Sequence, residues 1–496
     1  MRNNVLDYLD EAVLKNPDKA AFIDKKESLT FRQLKDNADR GATYLHNEGY
    51  YNEGILIYMS KSPSEISAFF TVIRSGNYYV PIDEKMPAAR INLIIQTVNP
   101  RLVICDETTI DKAANLEGEH KCVLFKDVIA AEADNVVLTT IRNAAIDVDP
   151  IYIVFTSGST GVPKGVCACH RNVIDYIESL CEALKFDENT VFGNQTPLYF
   201  DSPLKEIYPT LKYCATTYLV PKELFMFPVK LVEYLNENKI NTICWVVSAL
   251  TMISGLKAFD TIKPEHLRLV AFGSEVFPIK QFNMWKEAAP NARFVNLYGP
   301  TEGTGMCCYY EVDRDFAEGD VIPIGRPFKN TGLMLIDEEG KLANEGEIVL
   351  RGSCVTLGYF NNEEKTNEVY TLNPLISAYK EIVYHTGDVA RRGDDGNLYF
   401  ISRKDYQIKH MGHRIELGEI EAAVNALEAI TICACTYNKE KEKINLFYVG
   451  DIDKVAVLNH LKDSLPRYMI PNRVEKLDRM PLTDNGKIDR KGLASM

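Results

Sequence analysis

The feature that most constrains this chain is an apolar, β-prone run that stops abruptly in a loop of small residues. The run covers residues 151–155 (IYIVF), and the loop continues over residues 156–165 (TSGSTGVPKG). Such a loop lets the backbone approach a ligand closely, and it offers unhindered N–H and hydroxyl donors together with one cation, Lys164. The stretch therefore predicts a buried strand that leads into a phosphate-holding loop.

The spacing in this loop differs from that of a Walker loop. A Walker loop places Ser or Thr directly after its lysine, whereas Lys164 lies between Pro163 and Gly165. A solvated turn is the alternative interpretation, but six consecutive Thr, Ser and Gly residues after a strand make it the weaker one. The loop indicates another class of nucleotide-binding protein.

Bulk properties exclude several classes of function. A net charge of −13 argues against nucleic acid or an anionic membrane surface as the main partner. We find no signal-peptide core and no apolar stretch long enough for membrane insertion, so we expect a cytoplasmic protein whose twelve cysteines are reduced thiols. The Cys167-x-Cys169-His170 and His410-x-x-His413 spacings lack a partner pair, so zinc is not expected there.

The order of the patterns predicts an α/β protein. At 496 residues the chain is long enough for two or more domains, and strands alternate with helices along residues 1–150. Thr30 and Ser62 begin predicted helices, and residues 55–59 form a predicted strand. The apolar runs at 239–248 and 267–275 end in polar residues, as strands do at the ligand-binding edge of an open α/β sheet.

Further stretches carry polar residues suited to a nucleotide. In residues 296–304 (NLYGPTEGT), Tyr298 can lie against a flat ring, Thr301 can donate to a phosphate, and Glu302 can hold magnesium. In residues 384–388 (YHTGD), Asp388 stands beside a glycine and suits ribose hydroxyls as a bidentate acceptor. Residues 483–490 (TDNGKIDR) contain an Asn-Gly turn signal, so Lys487 is expected at a loop tip.

Together with 74–83, 401–409 and 412–421, these stretches resemble, in order, the signatures of the adenylate-forming enzymes. That family includes acyl-CoA synthetases, luciferases and the adenylation domains of nonribosomal peptide synthetases. The resemblance implies a large N-terminal domain, residues 1–402, of mixed and parallel sheets with helices, plus a β-barrel-like subdomain. It implies a small mobile α+β C-terminal domain, residues 403–496, that turns about Asp405, with Ser402 where family members usually have glycine. Gly412 and Arg414 would belong to the loop that receives the thiol acceptor.

The same resemblance implies a two-step reaction that uses ATP and magnesium. A substrate carboxylate attacks the α-phosphorus of ATP to give an acyl-adenylate and pyrophosphate, and a thiol then displaces AMP to give a thioester. The implied catalytic residues are Lys487, Thr301 and Glu302, with Glu302 as the magnesium ligand. The implied nucleotide-binding residues are Thr156, Ser157, Gly158, Ser159, Thr160, Gly161, Lys164, Asn296, Tyr298, Gly299, Thr301, Asp388 and Arg403.

Asp201 bears on the choice of substrate. It lies among aromatic and apolar residues, where a carboxylate either caps a helix that begins at Asp-Ser-Pro or meets a cation. The resemblance implies that it pairs with the α-ammonium of an amino acid, although Pro203 stands where many family members have serine. The implied pocket positions are Asp201, Ser202, Lys205, Cys244, Ala271, Gly273, Leu297, Gly305 and Met306. Lys205 either pairs with Asp201 or faces an acidic or hydrogen-bonding substrate side chain.

The chain is therefore expected to be an AMP-forming acid–thiol ligase of the amino acid–[carrier protein] type. It is similar to D-alanine–D-alanyl carrier protein ligases as well as to excised peptide-synthetase adenylation domains. No carrier segment follows the last signature, so a phosphopantetheinylated carrier protein is expected in trans. The alternative is an acyl- or aryl-CoA ligase that acts on an amine-free carboxylic acid, against which a charged Asp201 argues.

Overall fold

The computed structural model describes residues 2–158, 161–404, 407–439, 441–482 and 488–496. The strands up to residue 404 are β1 (Ala20–Ile23), β2 (Ser28–Thr30), β3 (Gly54–Tyr58), β4 (Tyr78–Pro81), β5 (Leu102–Cys105), β6 (Lys121–Leu124), β7 (Pro150–Thr156), β8 (Lys164–Cys169), β9 (Val191–Asn194), β10 (Thr216–Leu219), β11 (Thr242–Val246), β12 (Leu269–Gly273), β13 (Arg293–Tyr298), β14 (Cys308–Glu311), β15 (Arg326–Pro327), β16 (Thr331–Ile336), β17 (Glu345–Gly352), β18 (Tyr370–Leu372), β19 (Ile382–Arg392) and β20 (Leu398–Arg403).

The helices of the same part are α1 (Leu6–Lys15), α2 (Phe31–Asn47), α3 (Pro63–Arg74), α4 (Ala88–Val98), α5 (Ile110–Ala113), α6 (Phe125–Val128), α7 (Asn135–Ala144), α8 (His170–Leu184), α9 (Leu204–Tyr213), α10 (Pro228–Glu237), α11 (Val247–Gly255), α12 (Ile279–Ala288) and α13 (Glu363–Val369). The C-terminal elements are β21 (Gln407–His410), β22 (His413–Glu416), α14 (Leu417–Asn425), β23 (Ile430–Asn438), β24 (Lys443–Gly450), α15 (Lys454–Ser464), β25 (Arg473–Lys476) and α16 (Arg490–Ala494).

Local signals in the sequence decide where helices begin. Thr30 caps α2 in a reciprocal capping box with Gln33, and the side chain of Ser62 accepts a hydrogen bond from the backbone N–H of Glu65 at the start of α3. These contacts satisfy backbone donors that the first helical turn leaves without partners. The two predicted helix starts are confirmed.

Two sheets form the larger part of the fold. In the described part of the chain, a nine-stranded sheet has the order β15-β14-β13-β12-β11-β9-β10-β1-β2, and a six-stranded sheet has the order β6-β5-β3-β4-β7-β8. Strands β11, β12 and β13 run parallel and are buried along almost their whole length. Their carboxyl ends therefore meet at one edge, where the predicted site residues follow them.

The β-rich stretch that we predicted as a barrel-like subdomain forms a five-stranded antiparallel sheet. Its order is β16-β17-β19-β18, with β20 paired to the other part of β19 within the described residues. The long strand β19 carries Asp388, and β20 carries Arg403 opposite it. Two residues that we predicted to bind the nucleotide, Asp388 and Arg403, therefore lie side by side on neighbouring strands of this sheet.

The C-terminal part is a small α+β unit. Strands β23, β24 and β25 form one sheet, the hairpin β21–β22 stands apart from it, and helices α14 and α15 pack together. Its hydrophobic clusters contain only residues from 408 onward. The domain boundary at residue 402 stays a prediction. The mixed α/β fold with a smaller C-terminal domain agrees with the sequence prediction. Among the described residues, no helix is long and apolar enough to cross a membrane.

Candidate active site

The predicted phosphate loop joins β7 to β8, which pair antiparallel on either side of it. The predicted strand is confirmed, and Gly161 adopts φ +86°, a conformation that favours glycine. Residues Ser159 and Thr160 lie outside the described part of the chain. The described end of the loop places Lys164 Nζ 5.1 Å from the centre of the Tyr359 ring, beside the other charged groups of the site.

A second group of predicted residues gathers around Asp388, which is almost fully buried. The hydroxyl of Tyr298 donates to Asp388 Oδ2 at 2.5 Å, and Arg403 Nη1 donates to Oδ1 at 2.6 Å. Asn296, on the same strand as Tyr298, donates to the carbonyl of Pro323 at 2.8 Å. These contacts bring residues from three strands to one point, although they are far apart in sequence.

The turn after β13 leaves no room for side chains at Gly299. A Cβ atom there would lie 2.3 Å from the carbonyl oxygen of Gly305 and 2.6 Å from the Cα of Met306. The close approach of these two backbone segments fixes the 3-10 turn Thr301–Gly303 directly behind the strand end. Thr301 and Glu302 are therefore held in place by backbone packing.

Glu302 is fully buried and held by hydrogen bonds. Arg414 Nη1 donates to its two carboxylate oxygens at 3.0 and 2.7 Å, and the hydroxyl of Tyr359 donates to Oε1 at 2.7 Å. Burial alone would raise the pKa of this carboxyl, but Arg414, Lys164 and the Tyr359 hydrogen bond together lower it to about 2. Glu302 is thus an ionised carboxylate inside the protein, a state that requires a cation at its side.

The C-terminal hairpin, defined here as residues 407–416, reaches into this same site. The backbone N–H of Gly412 donates to Glu275 Oε1 at 2.8 Å, and Glu275 Oε2 accepts the backbone N–H of Ser248 at 2.7 Å. The hydroxyl of Ser157 in the phosphate loop donates to the carbonyl of Arg414 at 2.8 Å. The predicted thiol-acceptor loop and the predicted nucleotide loop are therefore in direct contact.

Glu419 on helix α14 is fully buried and connects the C-terminal part to the phosphate loop. One oxygen of Glu419 accepts the backbone N–H of Gly158 at 3.1 Å, and the other pairs with the buried guanidinium of Arg90. Truncating one partner of such a buried pair is costly because the other charge stays desolvated. This pair ties the phosphate loop, α4 and the C-terminal domain together in one arrangement.

Sequence reasoning missed the docking roles of Glu275, Glu419, Arg90 and Lys409. Lys409, on β21, is half-buried, and its Nζ lies 5.7 Å from the centre of the Tyr298 ring; loss of hydration around it lowers its pKa. Glu275 closely follows the end of β12, and this position at a strand end could have indicated a residue of the site. Arg90 had no such signal, since its partner is 329 residues away.

Most of the predicted substrate-pocket residues line one narrow pocket. The space, including its opening to solvent, measures about 180 Å³. Its wall includes Lys205, Cys244, Ala271, Gly273, Leu297 and Met306. Gly305 precedes Met306 in the chain. A Cβ atom at Gly305 would lie 3.3 Å from the ring of Tyr176. Hereafter this space is called the substrate pocket.

Asp201 lies beside the substrate pocket and does not cap a helix. The N-cap residue of α9 is Pro203, without a side-chain cap, so the helix-cap interpretation of Asp201 is wrong. Burial raises the pKa of Asp201, while a hydrogen bond from Thr301 and the charge of Lys205 lower it. Thr301 thus connects the substrate pocket to Glu302, the next residue.

Some predicted residues cannot be located. Lys487 and Asp405 lie outside the described residues, so their predicted roles as catalytic lysine and hinge stay predictions. Within the described ranges, no group of three or more His, Cys, Asp or Glu side chains could hold a metal ion by itself. A magnesium ion at Glu302 would therefore need oxygens from a bound phosphate as further ligands, which is how magnesium is commonly held in phosphoryl-transfer sites.

Comparison with known proteins adds to this geometry. Residues 9–360 match the family model described as AMP-binding enzyme. The chain is 31% identical to zwittermicin A synthase ZmaJ of Bacillus cereus, covering 98% of this chain and 93% of that protein. It is 30% identical to the D-alanine–D-alanyl carrier protein ligase of Staphylococcus haemolyticus, covering 99% of both.

A solved structure shares the whole architecture. The holo form of PA1221, a nonribosomal peptide synthetase protein containing adenylation and PCP domains, superimposes with a TM-score of 0.86 at 27% identity, covering 99% of this chain and 84% of that one. Several large synthases also match, but the chain spans only 8% to 14% of their length.

Proposed function

Because the chain belongs to the AMP-binding enzyme family, whose members form adenylates, we propose that it activates an amino acid and transfers it to a carrier protein. The carboxylate of the amino acid would attack the α-phosphorus of ATP, which releases pyrophosphate and leaves an aminoacyl-adenylate. The thiol of a phosphopantetheine group on a carrier protein would then attack the carbonyl carbon, which releases AMP and leaves a thioester. The D-alanyl carrier protein ligase among the relatives is named for such a carrier.

The observation that carries the amino-acid assignment is the place of Asp201. Asp201 is half-buried, its carboxyl is hydrogen-bonded to Thr301, the residue before Glu302, and the charge of Lys205 acts on it. An ammonium group that arrives there would favour the ionised form of Asp201, because a nearby opposite charge lowers the pKa of a carboxyl. An amine-free acid would offer no such compensation, and the carboxyl would keep only the charge of Lys205, which forms no ion pair with it.

The nucleotide is proposed to lie between the phosphate loop and the Asp388 group. Asp388 would accept the ribose hydroxyls, Tyr298 would lie against the adenine ring, and Lys164 would face the phosphates. The buried, ionised carboxylate of Glu302 has the hard oxygen donors that magnesium prefers, so these residues fit the ion. When bound there, magnesium would screen the negative charge of the ATP phosphates.

Glu302 is proposed to meet a different cation in each of the two steps. In the arrangement described above, Arg414 donates to both of its oxygens. We assign this arrangement to thioester formation, after pyrophosphate has left, and we place Lys487 in the site only during adenylation. The proposed rotation of the C-terminal domain would thus exchange one cation for another at a single carboxylate.

The proposal is tested by amino-acid-dependent exchange of label between pyrophosphate and ATP. The panel should contain L- and D-amino acids, β-amino acids, and amine-free aryl and fatty acids. We expect exchange with an amino acid, and we expect Asp201→Asn to reduce it roughly 30-fold or more, since one partner of a buried charge pair is lost. Asp187→Asn is the matched control, because that carboxylate only holds a turn before β9.

Product analysis decides the second half of the proposal. Purified adenylate should yield a thioester on a phosphopantetheinylated carrier protein in preference to free CoA. Exchange with amine-free acids alone, together with transfer to CoA, would refute the proposal and favour an acyl- or aryl-CoA ligase.

A further inference from the structure

Lys205 places an ammonium group in the wall of the substrate pocket. The residue is 3% exposed, and its Nζ donates to the hydroxyl of Ser202 at 2.5 Å. No carboxylate oxygen in the described part of the chain lies within 4.0 Å of this nitrogen, which excludes the ion pair with Asp201 that the sequence allowed. A buried charge that has only a neutral hydroxyl partner is expensive, because water has been removed without replacement.

The acidic neighbours do not neutralise Lys205. Glu206, the next residue on α9, accepts from the side-chain amide of Asn194 at 3.0 Å, and its other oxygen has no hydrogen-bond partner among the described residues. Burial raises the pKa of Glu206 to about 7, although Lys205 and Lys61 act against this shift. Burial therefore favours the neutral form of Glu206, which weakens its compensation of the Lys205 charge.

The rest of the pocket wall is apolar or small. Cys244, Leu297 and Met306 are buried hydrophobic residues, and Ala271 and Gly273 contribute little or no side chain. Burial raises the pKa of the Cys244 thiol, which keeps it neutral. The pocket is narrow, with about 180 Å³ of space including its open mouth. Among the described residues that line the pocket, Lys205 is the one with a charged side chain.

We propose that this pocket selects an α-amino acid with a short side chain that ends in a carboxylate, as in aspartate or glutamate, and that Lys205 is the counter-ion of that side chain. The inference rests on the proposed adenylation of an amino acid and adds its substrate class. The three charged groups of such a substrate would each have a partner: Asp201 for the ammonium, Lys205 for the side-chain carboxylate, and the nucleotide side of the site for the reacting carboxylate.

The test compares acids with their amides in the pyrophosphate exchange assay. L- and D-aspartate and glutamate are measured against asparagine, glutamine and alanine. We expect kcat/KM for one of the acids to exceed that for its amide roughly 30-fold or more, since the amide leaves Lys205 unpaired. Because this comparison uses the unaltered protein, it does not depend on whether a variant folds. A neutral amino acid as the best substrate would overturn the inference.

The matching variant is Lys205→Met, which keeps the length of the side chain and removes its charge. We expect kcat/KM for the acid to fall roughly 30-fold or more and that for the amide to change by less than about threefold. The control is Lys212→Met on the same helix, because Lys212 pairs with Glu178 away from the substrate pocket. We expect Lys205→Met to unfold at the same or a higher temperature, since it removes a buried charge that has no carboxylate partner among the described residues. Equal kcat/KM for the acid in the Lys205→Met variant and the wild type would overturn the inference.

Failure of this inference and failure of the proposed function give different results. If only neutral amino acids support exchange, amino-acid adenylation stands and the role of Lys205 is wrong. If succinate or another amine-free dicarboxylic acid replaces the amino acid and its exchange is lost in Lys205→Met, the assignment of Asp201 is wrong and that of Lys205 stands.

Discussion

A substitution at Gly412 should slow thioester formation and leave adenylation almost unchanged. The backbone of Gly412 has φ +78°, and a Cβ atom there would lie 2.9 and 3.1 Å from the two methyl carbons of Val246. In the Gly412→Ala variant the hairpin or Val246 must therefore move, and the hydrogen bond from the Gly412 N–H to Glu275 is lost or weakened. The docked arrangement of the C-terminal domain should become less populated.

The expected size of the effect follows from that hydrogen bond. A hydrogen bond to a charged group contributes about 1.5–3 kcal/mol, and every 1.4 kcal/mol is a factor of ten. The strain of a left-handed alanine, about 1–2 kcal/mol, applies in either domain orientation and largely cancels in their ratio. We therefore expect thioester formation to fall roughly 10- to 100-fold in Gly412→Ala, while amino-acid-dependent pyrophosphate exchange stays within about twofold.

The assay measures the two steps separately on one enzyme preparation. Exchange reports adenylation, and rapid quenching after preformed aminoacyl-adenylate meets the carrier protein reports the thioester step. Gly340→Ala is a close control, since Gly340 also has φ +78° but has no atom within 4 Å of its virtual Cβ. Equal loss in both steps, or an equal loss in the Gly340 variant, would refute the reasoning.

Three further changes test other parts of the site. Lys487→Ala should lower exchange about 10²–10³-fold, the effect of one lost electrostatic stabiliser, while thioester formation from supplied adenylate persists; equal loss in both steps would contradict the assignment. Arg414→Met should slow thioester formation roughly 30-fold or more, because Glu302 then stays buried without the guanidinium that pairs with it. The rate of pyrophosphate exchange at saturating magnesium should stay unchanged. An unchanged rate of thioester formation would contradict the role of the Arg414–Glu302 pair. Glu206 has a folded-state pKa of about 7 against an ordinary value of 4.5, so the free energy of unfolding should fall as pH rises from about 4.5 through 7, by at most about 3 kcal/mol. Thermal unfolding at pH 5 and pH 8 should show a smaller fall for Glu206→Gln than for the wild type. The same fall in both proteins would contradict the raised pKa.

Much of the fold could be predicted because its signals are local. The capping residues Thr30 and Ser62 and the alternation of strands and helices depend on neighbours a few residues away. The strand before the phosphate loop and the polar ends of β11 and β12 were visible in the same way, and these strands were predicted correctly. Asp201 shows the limit of such signals, since its neighbours fit a helix cap that the tertiary structure does not form.

The sequence by itself determined the α/β class, the family resemblance and the set of residues that could bind a nucleotide and an amino acid. Only the tertiary structure decided which of them meet. Arg414 and Glu302 are 112 residues apart, Gly412 and Glu275 are 137 apart, and no periodicity connects them. Each contact forms because a buried charge or backbone donor must find a partner once water is excluded, and that requirement arises only when the domains pack. Packing likewise decided that, among the described residues, the ammonium of Lys205 meets the hydroxyl of Ser202 and no carboxylate.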